Sequence, residues 1–432
     1  MQSKSLGYGT GTSPLQVCDY DYLPNGFLKS MNNVQNLGTD LFALQLNYAE
    51  DIVSGVTPQK NGNISEAIWK TPGDASANVY GYQYDFLQRL TDATSGSYQN
   101  GSYAVTDLFN THYEYDQRGN IKVITRRGNY ASGNGQNDLI DNLSFDYTPN
   151  TNRLLQVADA ITGIEASSQN ITVDQPITTD ETITATGTIT ATSQVAGDRQ
   201  VTFRAGSSIT LQPGFSVTAA SGGNFLATID PNLTAANEQA GFVERSAVPY
   251  TYDANGNLTS DLDKDITSIE YNHLNLPNAI YLGSNKRTLF TYTAAGQKIR
   301  THKQEKQGTE WITVDERHYY SGVELHDEVF EALYHSAGRI TKTGSGNTVA
   351  DYQFEYTITD HLGNTRLQFA DVNGDATVDA SEVLRQFHYY PFGMEMNGDL
   401  QNSGGGVDQR YRYNGKEFSE ELGLYDYGAR WY

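Results

Sequence analysis

Cysteine is almost absent from this chain of 432 residues, since Cys18 is the only one. A single cysteine excludes an intrachain disulfide and a cysteine metal cluster, so packing and hydrogen bonds must stabilise the fold. Long apolar runs are also absent, because none approaches the roughly 18 residues that span a bilayer. We therefore expect no membrane span. The first residues lack the apolar segment of an export signal, and we expect any such signal to lie upstream in a longer protein.

Basic residues and catalytic motifs are scarce too. The chain has 29 Lys and Arg against 51 Asp and Glu, a formal net charge of -22. A field of this sign repels nucleic acid and anionic membranes, so we exclude both as primary partners. It suits a calcium-containing extracellular setting, although acidic solubility alone explains it equally well. Because no Gly-x-Ser-x-Gly, His-Glu-x-x-His or Gly-Lys-Ser/Thr motif is present, we predict no catalytic residue and no enzyme.

Tyrosine and glycine are abundant instead, with 30 and 41 residues against only 4 methionines. Aromatic side chains suit a pleated, half-buried surface, and glycine supplies the turns between strands. This composition predicts an all-β protein. The length alone would suggest two or three ordinary domains, but a repeat protein can extend one sheet along most of its chain.

A Tyr-Asp-x-x-Gly-Asn unit recurs along the chain, most clearly from Tyr115 and Tyr252 and more loosely from Tyr84, Tyr271 and Tyr292. Its Asp can accept a hydrogen bond from the N–H two residues on, and its Gly supplies the positive φ that ends the turn. The following apolar residue then starts a returning strand opposite the tyrosine. One hairpin cannot bury its own face, so we predict hairpins paired edge to edge in one antiparallel sheet. The alternative is an ordinary antiparallel domain with frequent turns.

Three more segments complete the pattern. Thr359–Arg366 is Thr-Asp-His-Leu-Gly-Asn-Thr-Arg, Tyr389–Gly393 is Tyr-Tyr-Pro-Phe-Gly, and Tyr411–Glu417 is Tyr-Arg-Tyr-Asn-Gly-Lys-Glu. The chain then closes on Gly423–Tyr432, which is again rich in tyrosine and glycine. Together with the Tyr-Asp units, these segments resemble the bacterial Rhs/YD-repeat family, including its repeat-associated core and especially its Bacteroidetes-like members. The resemblance covers about 1–164 and 248–432.

This resemblance implies a fold and a task. In the family, antiparallel strands spiral into a hollow shell, the core coils inward to plug one end, and a variable C-terminal segment, often a toxin, is held inside. Many cores also cut themselves with acidic residues that include an Arg-Asp pair after the Gly-Lys-Glu. The corresponding positions here are Phe418, Ser419 and Glu420, and the chain stops at Tyr432, before the usual Asp-Pro dipeptide. We therefore expect no self-cleavage.

The Tyr-Asp pattern disappears between about residues 166 and 244. Residues 182–192 alternate between threonine and small or apolar residues, which predicts one half-buried strand. Turn residues then separate apolar positions that recur every eight residues, which predicts the short rungs of a small β-stack or solenoid. Those positions are Val201, Ile209, Val217 and Phe225.

Residues 371–382 match a twelve-residue calcium loop of the EF-hand type. Side-chain oxygens stand at positions 1, 3, 5 and 9, position 7 offers a main-chain carbonyl, and position 12 is a glutamate. The predicted ligands are Asp371, Asn373, Asp375, Thr377, Asp379 and Glu382. The pattern departs at Ala376, where glycine normally makes a sharp bend, and a positive φ costs alanine about 1 kcal/mol or more. An acidic surface turn is the alternative.

These observations lead to two hypotheses about function. We predict that the chain is part of the shell of a secreted or surface bacterial YD-repeat protein, in which it encloses a C-terminal effector. The alternative is a cell-surface adhesion or carbohydrate-binding protein, in which the repeats are a rigid scaffold and the insert binds glycans or surface proteins. The predicted domains are a first shell part over 1–165, the insert over 166–244, and a second shell part with the core over 245–432.

Overall fold

The chain is all-β, as the composition predicted. The computed structural model describes residues 2–8, 13–50, 52–128, 138–160, 170–173, 176–177, 181–185, 188–195, 199–205, 208–217, 224–229, 248–344, 346, 348–396, 409–428 and 430–431. Helices in these residues are short 3-10 turns at Leu262–Lys264, Val349–Asp351, Ala380–Glu382 and Tyr413–Gly415. The chain forms two compact units. The first comprises Met1–Asp138, Leu143–Ala158 and Glu244–Tyr432, and the second comprises Leu139–Asn142 and Asp159–Val243.

A twelve-stranded antiparallel sheet forms from the first part of the chain. Nearly all its strands pair with their neighbours in sequence, except that β7 pairs with both β8 and β9. The strands are β1 (Ser3–Tyr8), β2 (Pro14–Tyr22), β3 (Leu28–Met31), β4 (Ala43–Asn47), β5 (Glu66–Lys70), β6 (Ala77–Tyr84), β7 (Leu90–Gln99), β8 (Ser102–Val105), β9 (Thr111–Tyr115), β10 (Ile121–Gly128), β11 (Asp138–Tyr147) and β12 (Leu154–Asp159).

An eleven-stranded antiparallel sheet forms from the last part, again in strict chain order. Two-stranded hairpins precede and follow it: β21 (Thr251–Tyr252) with β22 (Leu258–Ser260), and β34 (Glu417–Ser419) with β35 (Leu424–Asp426). The strands of the sheet are β23 (Ile266–Tyr271), β24 (Pro277–Leu282), β25 (Lys286–Tyr292), β26 (Lys298–Gln307), β27 (Glu310–Tyr320), β28 (Val323–His326), β29 (Val329–His335), β30 (Gly338–Lys342), β31 (Tyr352–Thr359), β32 (Thr365–Phe369) and β33 (Val383–Gln386).

The repeat turns have the geometry that the sequence predicted. Asp116 accepts hydrogen bonds from the main-chain N–H of Arg118 and of Asn120, each at 2.8 Å. Gly119 has a φ of 89°, which a residue with a Cβ rarely adopts. The apolar residue after the turn, Ile121, lies directly opposite Tyr115. One short motif therefore fixes both the turn and the register of its hairpin.

Six tyrosines, among them the repeat tyrosines Tyr84, Tyr115, Tyr252 and Tyr271, also connect their hairpins to an earlier one. Each hydroxyl donates a hydrogen bond to the main-chain oxygen of a leucine or isoleucine at or near the start of an earlier strand. The pairs are Tyr48 with Leu28, Tyr84 with Ile64, Tyr115 with Leu90, Tyr147 with Ile121, Tyr252 with Leu154, and Tyr271 with Leu258. The distances lie between 2.7 and 3.1 Å. Successive hairpins are therefore joined by a side chain as well as by strand pairing.

The second unit is a parallel β-solenoid with three sheets. The sheets are β13-β15-β18, β14-β17-β20 and β16-β19, formed by β13 (Asn170–Val173), β14 (Glu181–Ala185), β15 (Thr188–Ala191), β16 (Gln194–Val195), β17 (Gln200–Ala205), β18 (Ser208–Leu211), β19 (Ser216–Val217) and β20 (Asn224–Ile229). Its core holds fully buried Ile189 and Phe203. The solenoid prediction is confirmed in its architecture.

Two details of that prediction were wrong. The segment 182–192 is not one strand, because β14 and β15 belong to different sheets. The interval of eight does not separate rungs either. Val201, Ile209 and Val217 lie in three different sheets, and Val201 pairs in register with Phe225. Between Val201 and Phe225, eight residues therefore correspond to one side of the solenoid and three sides complete a turn, whereas the turn from Asn170 to Thr188 is shorter.

The tyrosine that bridges the insert provides a test of the connection between hairpins. We expect Tyr252→Phe to lower the free energy of unfolding by about 1 kcal/mol, because it removes one partly buried hydrogen bond. Urea unfolding measures the change. The matched control is Tyr281→Phe, since the Tyr281 hydroxyl makes no hydrogen bond within the described residues. Equal losses for the two variants would contradict a special role for the repeat tyrosines.

Candidate functional site

The last part of the chain lies on one face of the eleven-stranded sheet. We call residues 409–431 the terminal segment. At β32, the N–H of Thr365 donates to the main-chain oxygen of Arg412 at 3.0 Å. At the opposite end of the sheet, Leu422 and Trp431 pack with Ile266 and Phe290. The terminal segment thus crosses the sheet from β32 to β23.

A buried lysine holds the middle of this segment. Lys298 on β26 places its Nζ 2.7 Å from a carboxylate oxygen of Glu417 and 2.7 Å from one of Asp426. All three side chains are only 13% exposed. Burial opposes the charge of the ammonium group, but the neighbouring carboxylates outweigh it and raise the pKa of Lys298. The two ion pairs connect β26 of the sheet to both strands of the terminal hairpin, β34 and β35.

An arginine makes the second charged connection. Arg410 donates to Glu417 at 2.5 Å, and it also pairs with Glu324 on β28. Tyr411 donates its hydroxyl to Glu324 at 2.8 Å and packs edge-on against Tyr334, with ring centroids 4.8 Å apart. Burial raises the pKa of Glu324 even though Arg410 opposes that shift. Charged groups that are buried this deeply must be paired, so the contacts fix where the segment lies.

Sequence reasoning missed this site, although one signal was present. In the clear repeats, the position opposite the tyrosine is apolar, as at Leu258 opposite Tyr252. In the repeat that begins at Tyr292, that position is Lys298. A lysine where the pattern requires an apolar residue needs a buried partner. Its partners stand 119 and 128 residues further along the chain, beyond the reach of a local pattern.

The positions associated with self-cleavage in the resembling family are also in the terminal segment. Phe418 and Ser419 belong to β34, and Glu420 follows that strand with a carboxylate oxygen 3.0 Å from Arg412. The Phe418 ring also packs under the Arg412 guanidinium, 4.9 Å from its centroid. These contacts lie within the terminal segment and stabilise its own conformation. The absence of enzyme activity stays a prediction.

Residues 387–396, which follow β33, pack against the twelve-stranded sheet. His388 accepts a hydrogen bond at its Nδ1 from the indole N–H of Trp69 at 2.8 Å. Tyr390 donates its hydroxyl to the main-chain oxygen of Arg127 at 2.7 Å. The Phe392 ring lies edge-on to Tyr113, with centroids 5.0 Å apart. The predicted Tyr-Tyr-Pro-Phe-Gly segment therefore joins the two large sheets of the first unit.

The predicted calcium loop connects β32 to β33. Asp371 accepts from the N–H of Gly374 at 2.7 Å and of Ala376 at 3.0 Å. Glu382 is buried and accepts from the N–H of Val372 at 2.8 Å. Ala376 has a φ of 65°, so the bend at position 6 forms although the residue is not glycine. The first and last predicted ligands therefore meet the same stretch of backbone.

The other predicted ligands hydrogen-bond locally. Asn373, Asp375 and Asp379 each accept from an N–H two residues on, at 2.7 to 2.8 Å. The Thr377 hydroxyl donates to Asp375 at 2.6 Å. Within the residues that the structure describes, no group of three or more His, Cys, Asp or Glu side chains is arranged to hold a metal ion. Calcium binding stays a prediction, because like-charged carboxylates converge only around a cation.

Two solved structures resemble this chain in fold. A crystal structure of TcdB2-TccC3 without its hypervariable C-terminal region is 15% identical with a TM-score of 0.51, covering 100% of this chain and 17% of that one. The structure of the Photorhabdus luminescens Tc holotoxin pore with a TccC3 mutation is 15% identical with a TM-score of 0.53 over the same shares. The likeness shows a shared fold.

Other comparisons add no closer relative. No family model matches the chain, and no curated protein matches it. The chain spans about one sixth of the toxin chains, 17% of their length. Among the described residues, no helix is long and apolar enough to cross a membrane.

The buried charges yield a stability prediction. We expect Glu417→Gln to lower the free energy of unfolding by about 3 kcal/mol, because it leaves Lys298 and Arg410 with unpaired buried charge. Chemical denaturation of the whole chain measures the loss. The control is Glu305→Gln, since Glu305 and its partner Lys286 are 42% and 48% exposed, and we expect a change under about 1 kcal/mol there. A loss at Glu417 no larger than the control would show that the network does not hold the segment.

Proposed function

We propose that this chain is a wall segment of a shell that encloses a C-terminal effector in a longer bacterial protein, secreted or held at the cell surface. The shared fold with the TcdB2-TccC3 chains supports the proposal. Those proteins are parts of a Tc toxin with a hypervariable C-terminal region. The present chain spans one sixth of their length. The enclosing role of the longer protein is therefore part of what we propose.

The single observation that carries it is the course of the terminal segment. Residues 409–431 are held against the sheet by buried ion pairs at Lys298 and Arg410. Trp431 packs on Phe290, with ring centroids 5.7 Å apart. Any polypeptide that follows Tyr432 would therefore start from the covered face of the sheet and not from its opposite face. A wall that directs the chain in this way keeps the attached segment away from proteases and other partners.

Protection from proteolysis tests this proposal. We would fuse a 60-residue unstructured reporter after Tyr432, and we expect a nonspecific protease to digest it at least tenfold more slowly than the same reporter placed before Met1. The fusion before Met1 carries the same reporter and so controls for the reporter's own susceptibility to the protease. Equal digestion rates would contradict enclosure. A second comparison uses Glu417→Gln in the C-terminal fusion, which should speed digestion if the anchored segment directs the reporter inward.

We also propose that one calcium ion binds the loop at 371–382. Two observations favour it over an ordinary acidic turn. Ala376 adopts the left-handed conformation that a calcium loop requires at position 6. Glu382 is 5% exposed and reaches back to the first residues of the loop. The ion would bring Asp371, Asn373, Asp375, Asp379 and Glu382 together with the carbonyl of Thr377, and it would stiffen the passage from β32 to β33.

Calorimetric titration with calcium tests this site. We expect the wild type to bind one ion and Glu382→Gln to bind at least tenfold more weakly, because it loses the bidentate carboxylate. The control is Asp253→Asn, which removes a carboxylate from a repeat turn whose sequence starts like a calcium loop but has Lys264 at position 12. Equal heats for the wild type and Glu382→Gln would eliminate the site.

A further inference from the structure

The starting observation is a buried arginine enclosed by aromatic rings. Arg366 on β32 is 7% exposed. Its guanidinium carbon lies 5.1 Å from the ring centroid of Trp69, 5.5 Å from that of Phe42 and 5.9 Å from that of Tyr389. Trp69 lies on β5 of the twelve-stranded sheet, Phe42 directly precedes β4 of that sheet, and Tyr389 lies in the segment that follows β33. Such a cage attracts a cation, but ring faces accept no strong hydrogen bond from its N–H groups.

One edge of this guanidinium has no acceptor. The Nε and Nη2 atoms of Arg366 are buried and have no hydrogen-bond partner within the described residues. The only carboxylate paired with it there is Asp360, 3.5 Å from Nη1. That carboxylate already accepts three hydrogen bonds in its own turn, from Leu362 and from two groups of Asn364. The free edge, Nε with Nη2, is one that arginine uses to hold a carboxylate through two parallel hydrogen bonds.

A histidine beside the arginine presents a third donor. The N–H of Phe387 donates to the main-chain oxygen of Arg366 at 2.9 Å, which places His388 next to β32. His388 is 2% exposed, and its Nδ1 accepts from Trp69. Burial lowers the pKa of His388 to about 3, so the neutral ring carries its proton on Nε2. That atom is also buried and without a partner within the described residues.

Three buried donors without acceptors call for an oxygen ligand. An unpaired buried N–H destabilises the fold, and it does so more strongly on a charged group. A neutral acceptor would leave the charge of Arg366 compensated only by the distant Asp360 contact. We infer that Arg366 and His388 bind a small carboxylate, which accepts from the arginine edge through both oxygens and from the His388 Nε2–H. The carboxylate comes either from a free small acid or from an acidic side chain of a peptide.

Titration with defined carboxylates tests this inference. The probes are sodium formate, sodium acetate and the blocked amino acid N-acetyl-aspartate amide, each against sodium chloride at constant ionic strength. We expect formate or acetate to raise the thermal unfolding midpoint of the wild type in a saturable way, and chloride to leave it unchanged. Stabilisation by the blocked aspartate alone would assign the site to a peptide side chain. No carboxylate-dependent shift in the wild type would overturn the inference and leave water as the ligand.

A matched pair of arginines provides the variant test. We expect Arg366→Lys to weaken formate binding at least tenfold in calorimetry, because lysine keeps the charge but loses the two-pronged edge. The control is Arg339→Lys. Arg339 is 1% exposed, and its Nε is paired with Glu355 at 2.6 Å, so this variant perturbs the core without touching the site. Equal formate affinity in Arg366→Lys and the wild type would overturn the inference. If Arg366→Lys does not fold, His388→Phe is the second variant, with the same expected weakening.

Discussion

The hydrogen bond from a tyrosine hydroxyl to the main chain of the preceding hairpin is the interaction on which the first unit depends. A lone hairpin is marginally stable in water, and strand pairing alone leaves the hairpin free to slip in register. A side-chain bond that spans two hairpins restricts that slip. Its acceptor is always the oxygen of a leucine or isoleucine near a strand start, as at Leu154 and Leu258. Leu258, for example, packs against the core of the eleven-stranded sheet while its carbonyl accepts the hydrogen bond from Tyr271.

Buried ion pairs, and not the tyrosine hydrogen bonds, fix where the terminal segment lies on the sheet. Its hydrophobic contacts at Leu422 and Trp431 would tolerate a shift along the sheet, but buried ion pairs would not. Lys298 forms ion pairs with Glu417 and Asp426, and Arg410 forms one with Glu324. Replacing such pairs by apolar residues is often neutral for stability. Their contribution here is therefore to the placement of the segment, more than to its net stability.

Local features of the fold were predictable from the sequence, and distant ones were not. The turn at Asp116 and Gly119, and the register of Tyr115 opposite Ile121, depend on residues only a few positions apart. From Val201 to Phe225, the three sides of the solenoid share an interval of eight, so a linear pattern cannot distinguish a side from a rung. The partners of Lys298 are more than a hundred residues away. A single sequence shows only that this lysine stands where an apolar residue is expected.

The same tyrosine bond explains why the first unit tolerates a long insertion. Tyr271 and its acceptor Leu258 are 13 residues apart, whereas Tyr252 and Leu154 are 98 apart. The N–H of Tyr250 also donates to the oxygen of Leu155 at 2.9 Å, so the strand contact beside the tyrosine bond is kept. Each doubling of a flexible loop costs only about 0.6 kcal/mol, and the solenoid strands in between satisfy their own backbone. The bond requires only one hydroxyl and one carbonyl. It can therefore form whether few or many residues separate the two groups in the sequence. The contacts of Tyr252 and Tyr250 thus keep two hairpins joined across the inserted solenoid.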